Sequence, residues 1–556
     1  MPTLNWIGKD KVVSHHQDVP YRVLEHKYGF TADKGEQTET TNSGNKIIHG
    51  DNLEALKSLL PEYEGKVKCI YIDPPYNTGN EGWTYNDNVN HPKIKKWLDE
   101  TLKAKEQDKV AAIGVDDLTR HDKWLCMMYP RLKLLHKLLD DNGVIFISID
   151  DHELAHLRLL MDEIFGRNNF IEYFCWTKTS TPPSLANKSR KTVEYVVCYE
   201  KRKDNLKYNA ELSDGGDAPL LNSGNPSAKI LFPKEKVYFK LPDGEYKAGQ
   251  YDKAYLHNDI FIEDGYANID FELTAEFKWV QDTVTAEIEK GTEFIIKSDK
   301  FSIRFLRADQ SFKAPTNLLK EKYLNTTINK VDDKVDTNEG AKKVLKEIFG
   351  KDIFNYPKPY SLVEFLLKIG SNKNSVILDS FAGSGTTAHA VLNLNKQDGG
   401  NRKFILVEME DYANDITAER VKRVTKGYGS GAKAVEGTGG AFDFYELGLP
   451  LFDENYNLNE QVGIDKIKEY IWFSETRTAF SEPNQEPYFL GKKDESAYYF
   501  IYEKDRLTTL DYDALELIKT KGEQYVIYAD NCLLPKDFMA KKNIIFKKIP
   551  RDITRF

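Results

Sequence analysis

The stretch KCIYIDPPYNTG, residues 68–79, indicates the fold class of this chain of 556 residues. Its first part is an apolar run that predicts a buried strand, and the strand ends on Asp73. Pro74 and Pro75 follow at once, so the backbone after the strand is fixed. Tyr76 then adds an aromatic face. A carboxylate held by a stiff backbone at the end of a buried strand indicates a preorganised polar site.

Strand-like and helix-like patterns alternate around this stretch. Residues 46–50 and 144–150 predict further strands, and 124–140 have helical periodicity. Two more strands are predicted at 172–178 and 193–201. This alternation is typical of a parallel α/β sheet that is covered by helices.

The alternation is interrupted by an insertion and then returns. Between 205 and 345, short aromatic strands alternate with Asp-Gly, Asn and Pro turns, which predicts a mixed inserted domain. Strands at 375–380 and 404–409 then complete the interrupted sheet. The predicted segments are an N-terminal arm (1–45), the first half of the main domain (46–204), the insertion (205–345), the second half (346–445) and a small α+β C-terminal domain (446–556).

A glycine loop lies in the returning half, in LDSFAGSGTTAHA, residues 378–390. Gly383 and Gly385 come directly after a predicted strand, where they allow a tight turn and the close approach of a ligand to a helix N-terminus. The same residues also fit the dinucleotide-binding fingerprint of a nicotinamide oxidoreductase, in which Glu408 would be the acidic residue that binds the ribose. A glycine turn without any ligand is the third interpretation.

The Asp-Pro-Pro-Tyr stretch favours a transferase that acts on an exocyclic amino group. The amino nitrogen of adenine is a poor nucleophile because its lone pair is delocalised into the ring. The Asp73 carboxylate and the Pro74 carbonyl could each accept one N–H bond and direct that lone pair toward an incoming methyl group. Tyr76 could stack on a base that has been taken out of the helix. The alternative is an ordinary Pro-Pro turn.

Composition excludes several protein classes. The formal net charge is -9, with 40% hydrophobic and 30% charged residues, so binding of nucleic acid through overall charge is not expected, whereas a local basic groove is not excluded. No apolar run is long enough for a membrane span and the N-terminal residues contain no apolar signal region, which predicts a cytoplasmic protein. The five cysteines are scattered singly, and no metal site is expected. No Walker-type loop for nucleotide hydrolysis is present.

IDPPYNTG and LDSFAGSGTT together resemble the amino-methylating DNA methyltransferases, and the surrounding sequence resembles the modification subunits of Type III restriction–modification systems. The supporting passages are HGDNLEAL, HDKWLCMMYPRLKLLHKLL, YPKPYSLVEFLL and GGNRKFILVEMED. The resemblance covers most of residues 46–425, whereas the insertion matches only in position. It implies a Rossmann-like methyltransferase sheet in the circularly permuted β-class order, with a target-recognition domain as the insertion. Many relatives have Asp-Pro where this chain has Asp379-Ser380, a small departure.

The resemblance also implies a site. S-adenosylmethionine is expected in the glycine loop, with its amino acid end near Asp379, Lys358 and two threonine hydroxyls, its ribose on Glu408, and its adenine on Asp51, which equally fits a helix N-cap. The implied cofactor-binding residues are Asp51, Lys358, Asp379, Phe381, Gly383, Gly385, Thr386, Thr387 and Glu408, and the implied catalytic residues are Asp73, Pro74, Pro75 and Tyr76.

The resemblance implies site-specific methylation of duplex DNA by base flipping. An aspartate at position 73 favours the N6 of adenine over the N4 of cytosine. A homodimer is expected, together with a restriction subunit that carries helicase and nuclease parts. The alternatives are a stand-alone methyltransferase and a catalytically silent recognition subunit.

The sequence leaves two interpretations open for each of two further features. Trp176 is either a second wall of the base pocket or a core residue. A basic stretch that leads into the insertion suits phosphate contacts or is simply a solvated loop. This stretch contains Lys188, Arg190, Lys191, Lys201, Arg202, Lys203 and Lys207.

Overall fold

The computed structural model describes residues 4–78, 115–179, 181, 187–203, 208, 211–212, 217–307, 312–313, 315, 317–319, 335–453, 455–483 and 486–554. The chain divides into two compact units. The larger unit contains Met1–Leu206, Thr316–Thr326 and Asp333–Phe556, and the smaller unit contains Lys207–Pro315 and Thr327–Asp332. The boundaries of the five segments given above stay a prediction.

The larger unit is built on one large sheet. Within the described residues its strands, in chain order, are β1 (Arg22–Thr31), β2 (Gly35–Gln37), β3 (Lys46–His49), β4 (Val67–Ile72), β5 (Leu139–Ile149), β6 (Phe170–Thr177), β7 (Val193–Glu200), β8 (Leu318–Leu319), β9 (Val376–Asp379), β10 (Lys403–Glu408) and β11 (Ala441–Pro450). Their order across the sheet is β2-β1-β11-β3-β10-β9-β4-β5-β7-β6-β8. β9 and β10 come late in the chain but lie between β3 and β4, which is the permuted order.

The sheet is mixed, whereas an all-parallel sheet was predicted. Each neighbouring pair from β11 through β3, β10, β9 and β4 to β5 is parallel. The pairs β5–β7, β6–β7 and β1–β11 are antiparallel. A parallel connection needs a crossover, usually a helix, whereas antiparallel strands do not. The α/β class is confirmed, and only the strand directions at the two flanks differ from the prediction.

Helices cover the parallel part of the sheet. The longer helices of the larger unit are α1 (Asn52–Tyr63), α2 (Val115–Leu138), α3 (Leu154–Met161), α4 (Asn338–Phe349), α5 (Tyr360–Gly370), α6 (Thr386–Asp398), α7 (Glu419–Lys426) and α8 (Ile464–Thr476). Asp51 begins α1 as its N-cap, because its Oδ1 accepts hydrogen bonds from the N–H groups of Leu53 and Glu54. Leu56 and Leu59 of α1 are fully buried in the main core, and each such side chain contributes roughly 1.5–3 kcal/mol.

The carboxyl ends of the parallel strands define one edge of this sheet. β4 ends at Ile72, directly before Asp73, while β9 ends on Asp379 and β10 ends on Glu408. Asp51 follows β3 after a glycine. Because parallel strands point the same way, these four carboxylates come from separate parts of the chain to the same edge.

The larger unit also contains smaller elements. β1 lies in the segment that was predicted as an N-terminal arm, and β11 crosses the predicted boundary between 445 and 446. A separate mixed sheet follows near the C-terminus, with the strands Phe489–Lys493, Ser496–Phe500, Gln524–Ala529 and Ile544–Lys548 in that order. The other short elements are the helices Lys9–Val12, His15–Asp18, Tyr512–Leu515 and Lys536–Lys541 and the strands Gly427–Tyr428, Val435–Glu436, Thr509–Leu510 and Asn531–Cys532.

The smaller unit is rich in short strands, as the turn pattern predicted. One sheet orders Ser227–Phe232, Phe271–Glu276, Ala254–Leu256 and Gly249–Tyr251, and a second orders Val237–Phe239, Glu293–Ile296, Ile303–Leu306 and Ala218–Pro219. The remaining strands are Gly244–Tyr246, Ile260–Glu263 and Tyr266–Ala267 in a third sheet and the pair Glu211–Leu212 and Phe312–Lys313, and one helix spans Gln281–Glu289. Aromatic rings such as those of Phe232, Phe239 and Phe271 fill a core that belongs to this unit alone.

Among the described residues, no helix is both long and apolar enough to cross a bilayer.

Candidate active site

A cavity of about 1210 Å³ opens at the carboxyl edge of the large sheet, within the larger unit. It exceeds the volume of a typical small-molecule site, which is roughly 300–1,000 Å³. The predicted residues that line it are Asp51, Asp73, Pro74, Pro75, Tyr76, Lys358, Asp379, Phe381, Gly383, Thr386 and Glu408. Both predicted sequence stretches therefore face one cavity. Gly385 and Thr387 are not part of its lining.

Asp73 is engaged by a lysine. Lys358 Nζ donates a hydrogen bond to Asp73 Oδ2 over 2.9 Å, and the same nitrogen lies 4.8 Å from the centroid of the Tyr76 ring. Asp73 Oδ1 is buried and has no hydrogen-bond partner among the described residues. Burial raises the pKa of Asp73, and the neighbouring Lys358 opposes that rise. One acceptor oxygen at the end of β4 is thus taken by an ammonium group and the other is unused.

A second buried carboxylate, Glu194, completes this cluster. Its Oε2 lies 3.6 Å from Lys358 Nζ and accepts a hydrogen bond of 3.2 Å from the Tyr76 hydroxyl. Its Oε1 accepts a hydrogen bond of 3.1 Å from Lys178 Nζ. Burial lowers the pKa of Lys358, but Asp73 and Glu194 together raise it above its ordinary value. Lys358 therefore carries its charge between two carboxylates.

The turn after Asp73 is held from outside the cavity. Trp124 Nε1 donates a hydrogen bond of 2.7 Å to the Pro75 carbonyl. Asn77 has a φ of 60°, and its side-chain amide donates to Glu153. Glu153 also contacts His121 and His156. The two prolines and these anchors together fix the backbone that carries Asp73 and Tyr76.

The glycine loop is shaped by its neighbours. Gly385 has a φ of 81°, and a Cβ at this position would lie 3.0 Å from the Thr417 carbonyl oxygen, so a larger residue is disfavoured. Glu408 Oε2 accepts a hydrogen bond of 2.7 Å from the Gly383 N–H, and Oε1 accepts one of 3.0 Å from the Glu410 N–H. A carboxylate from β10 thus fixes the position of the loop.

Asp379 is held in the same way. Its Oδ1 accepts a hydrogen bond of 3.0 Å from the Phe381 N–H, and its Oδ2 accepts one of 2.5 Å from the Thr387 hydroxyl. Thr387 is fully buried, so in this structure its hydroxyl orients Asp379 and does not face the cavity. Thr386 does face the cavity, as the sequence predicted for a ligand contact.

Arg420 stabilises the glycine loop through hydrogen bonds. It is buried, and its Nη1 donates hydrogen bonds of 2.9 Å to Ser384 Oγ and 2.8 Å to Thr386 Oγ1. Its Nη2 lies 3.2 Å from His389 Nδ1. Burial lowers the pKa of Arg420 to about 10, so the guanidinium stays charged at neutral pH. Arg420 thus positions the threonine that faces the cavity.

Burial also perturbs the two carboxylates beside the glycine loop. It raises the pKa of Asp379 to about 7, although the hydrogen bonds from Thr387 and Phe381 lower it. It raises the pKa of Glu408 to about 7, although the backbone N–H groups of Glu410 and Gly383 lower it. Both groups therefore titrate near neutral pH.

The lining fits the cofactor that the sequence predicts. Carboxylates from four strand ends suit a ligand that carries a sulfonium, an ammonium and ribose hydroxyls, because each of these groups is positively charged or donates hydrogen bonds. Phe381 and Tyr412 supply apolar ring surface at the same cavity. Asp51 lines the cavity while it caps α1, so the structure retains both roles that the sequence left open.

The two remaining sequence interpretations have different outcomes. Trp176 is 1% exposed and its Nε1 donates to the Asp336 carbonyl, so it is a core residue and not a pocket wall. In the basic stretch, Lys191 lines the cavity and pairs with Asp151. Lys207 lies outside the described residues, and a phosphate-binding role for the stretch stays a prediction.

Sequence reasoning missed Glu194 and Arg420. A signal for Glu194 exists in VEYVVCYEK, where a carboxylate interrupts an apolar strand and therefore needs a buried partner. Arg420 lies in the charged run ERVKRVTK, where nothing distinguishes it from solvated neighbours. Its burial depends on how α7 packs, which a local pattern does not reveal.

Comparisons with known proteins support the resemblance. The family model N6_N4_Mtase, described as DNA methylase, matches residues 67–419. That range contains both the Asp-Pro-Pro-Tyr turn and the glycine loop, and it includes the smaller unit between them.

Three curated relatives are Mod subunits of Type III restriction–modification enzymes. The StyLTI subunit of Salmonella typhimurium is 30% identical over 74% of this chain and 59% of its own length. The EcoPI subunit of Escherichia phage P1 is 31% identical over 76% of this chain and 68% of its own length. The EcoP15I subunit of Escherichia coli is 31% identical over 76% of this chain and 69% of its own length. The chain thus spans between 59% and 69% of these relatives.

Proposed function

This chain belongs to the N6_N4_Mtase family of DNA methylases, and on that premise we propose that it transfers a methyl group from S-adenosylmethionine to the N6 amino group of adenine in duplex DNA. Family membership also excludes the nicotinamide oxidoreductase as the interpretation of the glycine loop. The related Mod subunits support assignment to a Type III restriction–modification system.

One observation carries the proposal. Asp73 and Tyr76 lie on the wall of the same cavity as the glycine loop, with a buried acceptor oxygen on Asp73 that has no described partner. An amino group could donate one N–H to Asp73 and the other to the Pro74 carbonyl while its ring stacks on Tyr76. The acceptors are rigid before the base arrives, so little reorganisation is needed.

The residues of the cavity have separate proposed roles in binding and alignment. When bound, S-adenosylmethionine would supply an electrophilic methyl group. Asp379, Thr386 and Glu408 would orient its polar ends, and Phe381 would pack on it. Asp73 and Pro74 would hold the amino nitrogen in line with the methyl group. Alignment of two reactants can lower a barrier by ~7–11 kcal/mol, which makes positioning the main contribution of the protein.

The proposal extends to the partners of the chain. Extrusion of a base costs a few kcal/mol, which contacts to phosphates and stacking on Tyr76 would offset. We assign target recognition to the smaller unit, whose many strands and loops suit groove contacts. A homodimer and a separate restriction subunit belong to this proposal, because the resemblance to Type III modification subunits implies both. The alternative is a methyltransferase that acts without a restriction subunit.

Base-resolved sequencing tests the proposed function. The purified chain is incubated with S-adenosylmethionine and unmethylated DNA of mixed sequence, and N6-methyladenine is distinguished from N4-methylcytosine. We expect N6-methyladenine at one short motif. Methylated cytosine would correct the base, and a protein that binds the cofactor but modifies no DNA would contradict the proposal. The same assay with and without a candidate restriction subunit separates the Type III assignment from the stand-alone alternative.

The affinity for S-adenosylmethionine is expected to rise between about pH 6 and pH 8, because Asp379 and Glu408, which are proposed to meet its amino acid end and its ribose hydroxyls, titrate near 7. The neighbours Asp73, Glu408 and Glu410 are acidic and raise these pKa values further. Hydrogen-bond donors favour the ionised carboxylate, so binding lowers both pKa values, releases protons and weakens as the pH falls through 7.

Isothermal titration calorimetry at three pH values measures this dependence, and buffers with different ionisation enthalpies measure the protons released. The control is Glu408→Gln, which cannot ionise and should flatten the profile. Tighter binding at pH 6 than at pH 8 would contradict the prediction.

A further inference from the structure

A lysine ammonium occupies part of the space that the proposed function gives to the substrate base. Lys358 Nζ donates to Asp73 Oδ2 over 2.9 Å and lies over the Tyr76 ring. In the proposed function, this carboxylate accepts the amino group and the base stacks on this ring. An ammonium and an exocyclic amino group both offer N–H donors. Asp73 Oδ1 is open to an amino group, but the Lys358 ammonium and a base that stacks on Tyr76 cannot occupy the same ring face at once.

The displaced ammonium needs another partner. The Lys358 and Glu194 side chains are each only 8% exposed, and an unpaired charge at such a site is strongly unfavourable. Glu194 Oε2 lies 3.6 Å from Lys358 Nζ, so a movement of less than about 1 Å would bring the two to hydrogen-bond distance. Glu194 is itself held in place by Lys178 and by the Tyr76 hydroxyl. It is therefore a fixed carboxylate beside the one that Lys358 must leave.

We propose that Lys358 is a placeholder for the substrate amino group, and that it shifts from Asp73 to Glu194 when an amino-bearing base enters the cavity. Glu194 is then a positioning residue, which acts through Lys358 and does not touch the base. This inference rests on the proposed function.

The exchange would affect both the ionisation of Asp73 and the choice of base. In the free protein, burial raises the pKa of Asp73, and Lys358 opposes that rise and so favours the ionised carboxylate. An adenine or cytosine amino group can replace the ammonium because it also donates hydrogen bonds to the carboxylate. Thymine, which presents a carbonyl oxygen at the equivalent ring position, offers only an acceptor and would be repelled by Asp73. The exchange thus selects the amino-bearing bases as the substrate class.

A double-mutant cycle on the full chain tests the inference. Single-turnover methylation rate, affinity for S-adenosylmethionine and thermal unfolding midpoint are measured for the wild type, Glu194→Gln, Lys358→Met and the double variant. Without Glu194, the ammonium stays on Asp73, so we expect Glu194→Gln to lower the rate about 10–100-fold while cofactor affinity stays within about twofold. In the Lys358→Met background, Glu194→Gln should cause no further loss, because no ammonium remains to be moved.

A third variant tests whether the negative charge at position 194 is required for the full rate. Glu194→Asp keeps a carboxylate at the same position and is expected to recover part of the lost rate, and it carries the test if Glu194→Gln does not fold. An equal loss from Glu194→Gln in both backgrounds, or a Glu194→Asp rate as low as that of Glu194→Gln, would overturn the inference. A loss of rate that is matched by a loss of cofactor affinity would overturn it as well.

The result also separates the inference from the proposed function. An active wild type with an equally active Glu194→Gln variant overturns the placeholder alone. A wild type that binds the cofactor and methylates no DNA overturns both.

Discussion

Replacement of Asp73 by alanine is expected to lower the rate of methyl transfer about 10²–10³-fold while S-adenosylmethionine still binds, a loss similar to that caused by removal of a preorganised hydrogen-bond partner in other active sites. The Asp73 carboxylate is the acceptor that would draw the amino lone pair out of conjugation. Its removal leaves the Pro74 carbonyl as the remaining acceptor of the pair. The base could still stack on Tyr76, but its nitrogen would be a poor nucleophile and less well aligned.

The affinity for the cofactor should change little, because Asp73 and Glu408 lie at the ends of different strands and the glycine loop is held by Glu408. Single-turnover methylation measures the rate, and calorimetry measures the affinity. Lys358 retains Glu194 as a counter-charge in the variant, so folding is expected to survive.

The matched control is Asp73→Asn, which preserves the shape and one acceptor oxygen but removes the charge. We expect it to lose about 10–100-fold, less than the alanine variant, because a charged acceptor forms the stronger hydrogen bond. An alanine variant that methylates as fast as the wild type would remove Asp73 from the mechanism. A variant that also fails to bind the cofactor would point to a general collapse of the cavity.

The second large effect is expected on cofactor binding. Glu408→Ala should weaken the binding of S-adenosylmethionine about 10²–10⁴-fold, because two hydrogen bonds to a charged acceptor contribute roughly 1.5–3 kcal/mol each and both are lost. The Glu408 carboxylate accepts the N–H groups of Gly383 and Glu410. Its removal frees the glycine loop and also takes away the proposed partner of the ribose hydroxyls.

Calorimetry measures the affinity, and Glu410→Ala is the matched control, because it removes an exposed carboxylate two residues away and leaves both backbone donors in place. We expect the control to bind within about threefold of the wild type, as most surface substitutions have small effects. A Glu408→Ala variant that binds the cofactor as tightly as the control would show that the loop is held by other contacts.

Local sequence was sufficient for the elements that face the cavity. The apolar run before Asp73 predicted β4, and β9 and β10 lie where the strand patterns at 375–380 and 404–409 placed them. Each pattern works because a strand buried on both faces needs an unbroken apolar run. The turn that follows needs proline or glycine, which the sequence also shows.

Local sequence was insufficient for strand direction. β6 and β7 were predicted as two more strands of a parallel sheet. In the structure, however, β7 pairs antiparallel with both β5 and β6. Strand direction depends on the path of the chain between elements, and the apolar pattern of a buried strand is the same in both orientations. N-terminal strand β1 was missed because its partner β11 lies more than 400 residues away in sequence.

The sequence by itself determined the chemistry that is available: a carboxylate on a rigid turn, an aromatic face and a glycine loop between strand and helix. The tertiary structure alone decided which charges meet. Because β7 runs opposite to β5, its beginning lies at the edge where the parallel strands end, and Glu194 reaches Lys358 and Tyr76 there. In a parallel orientation the same residue would lie at the far edge of the sheet. A charge pair between positions 194 and 358 depends on this long-range geometry, which local sequence patterns do not specify.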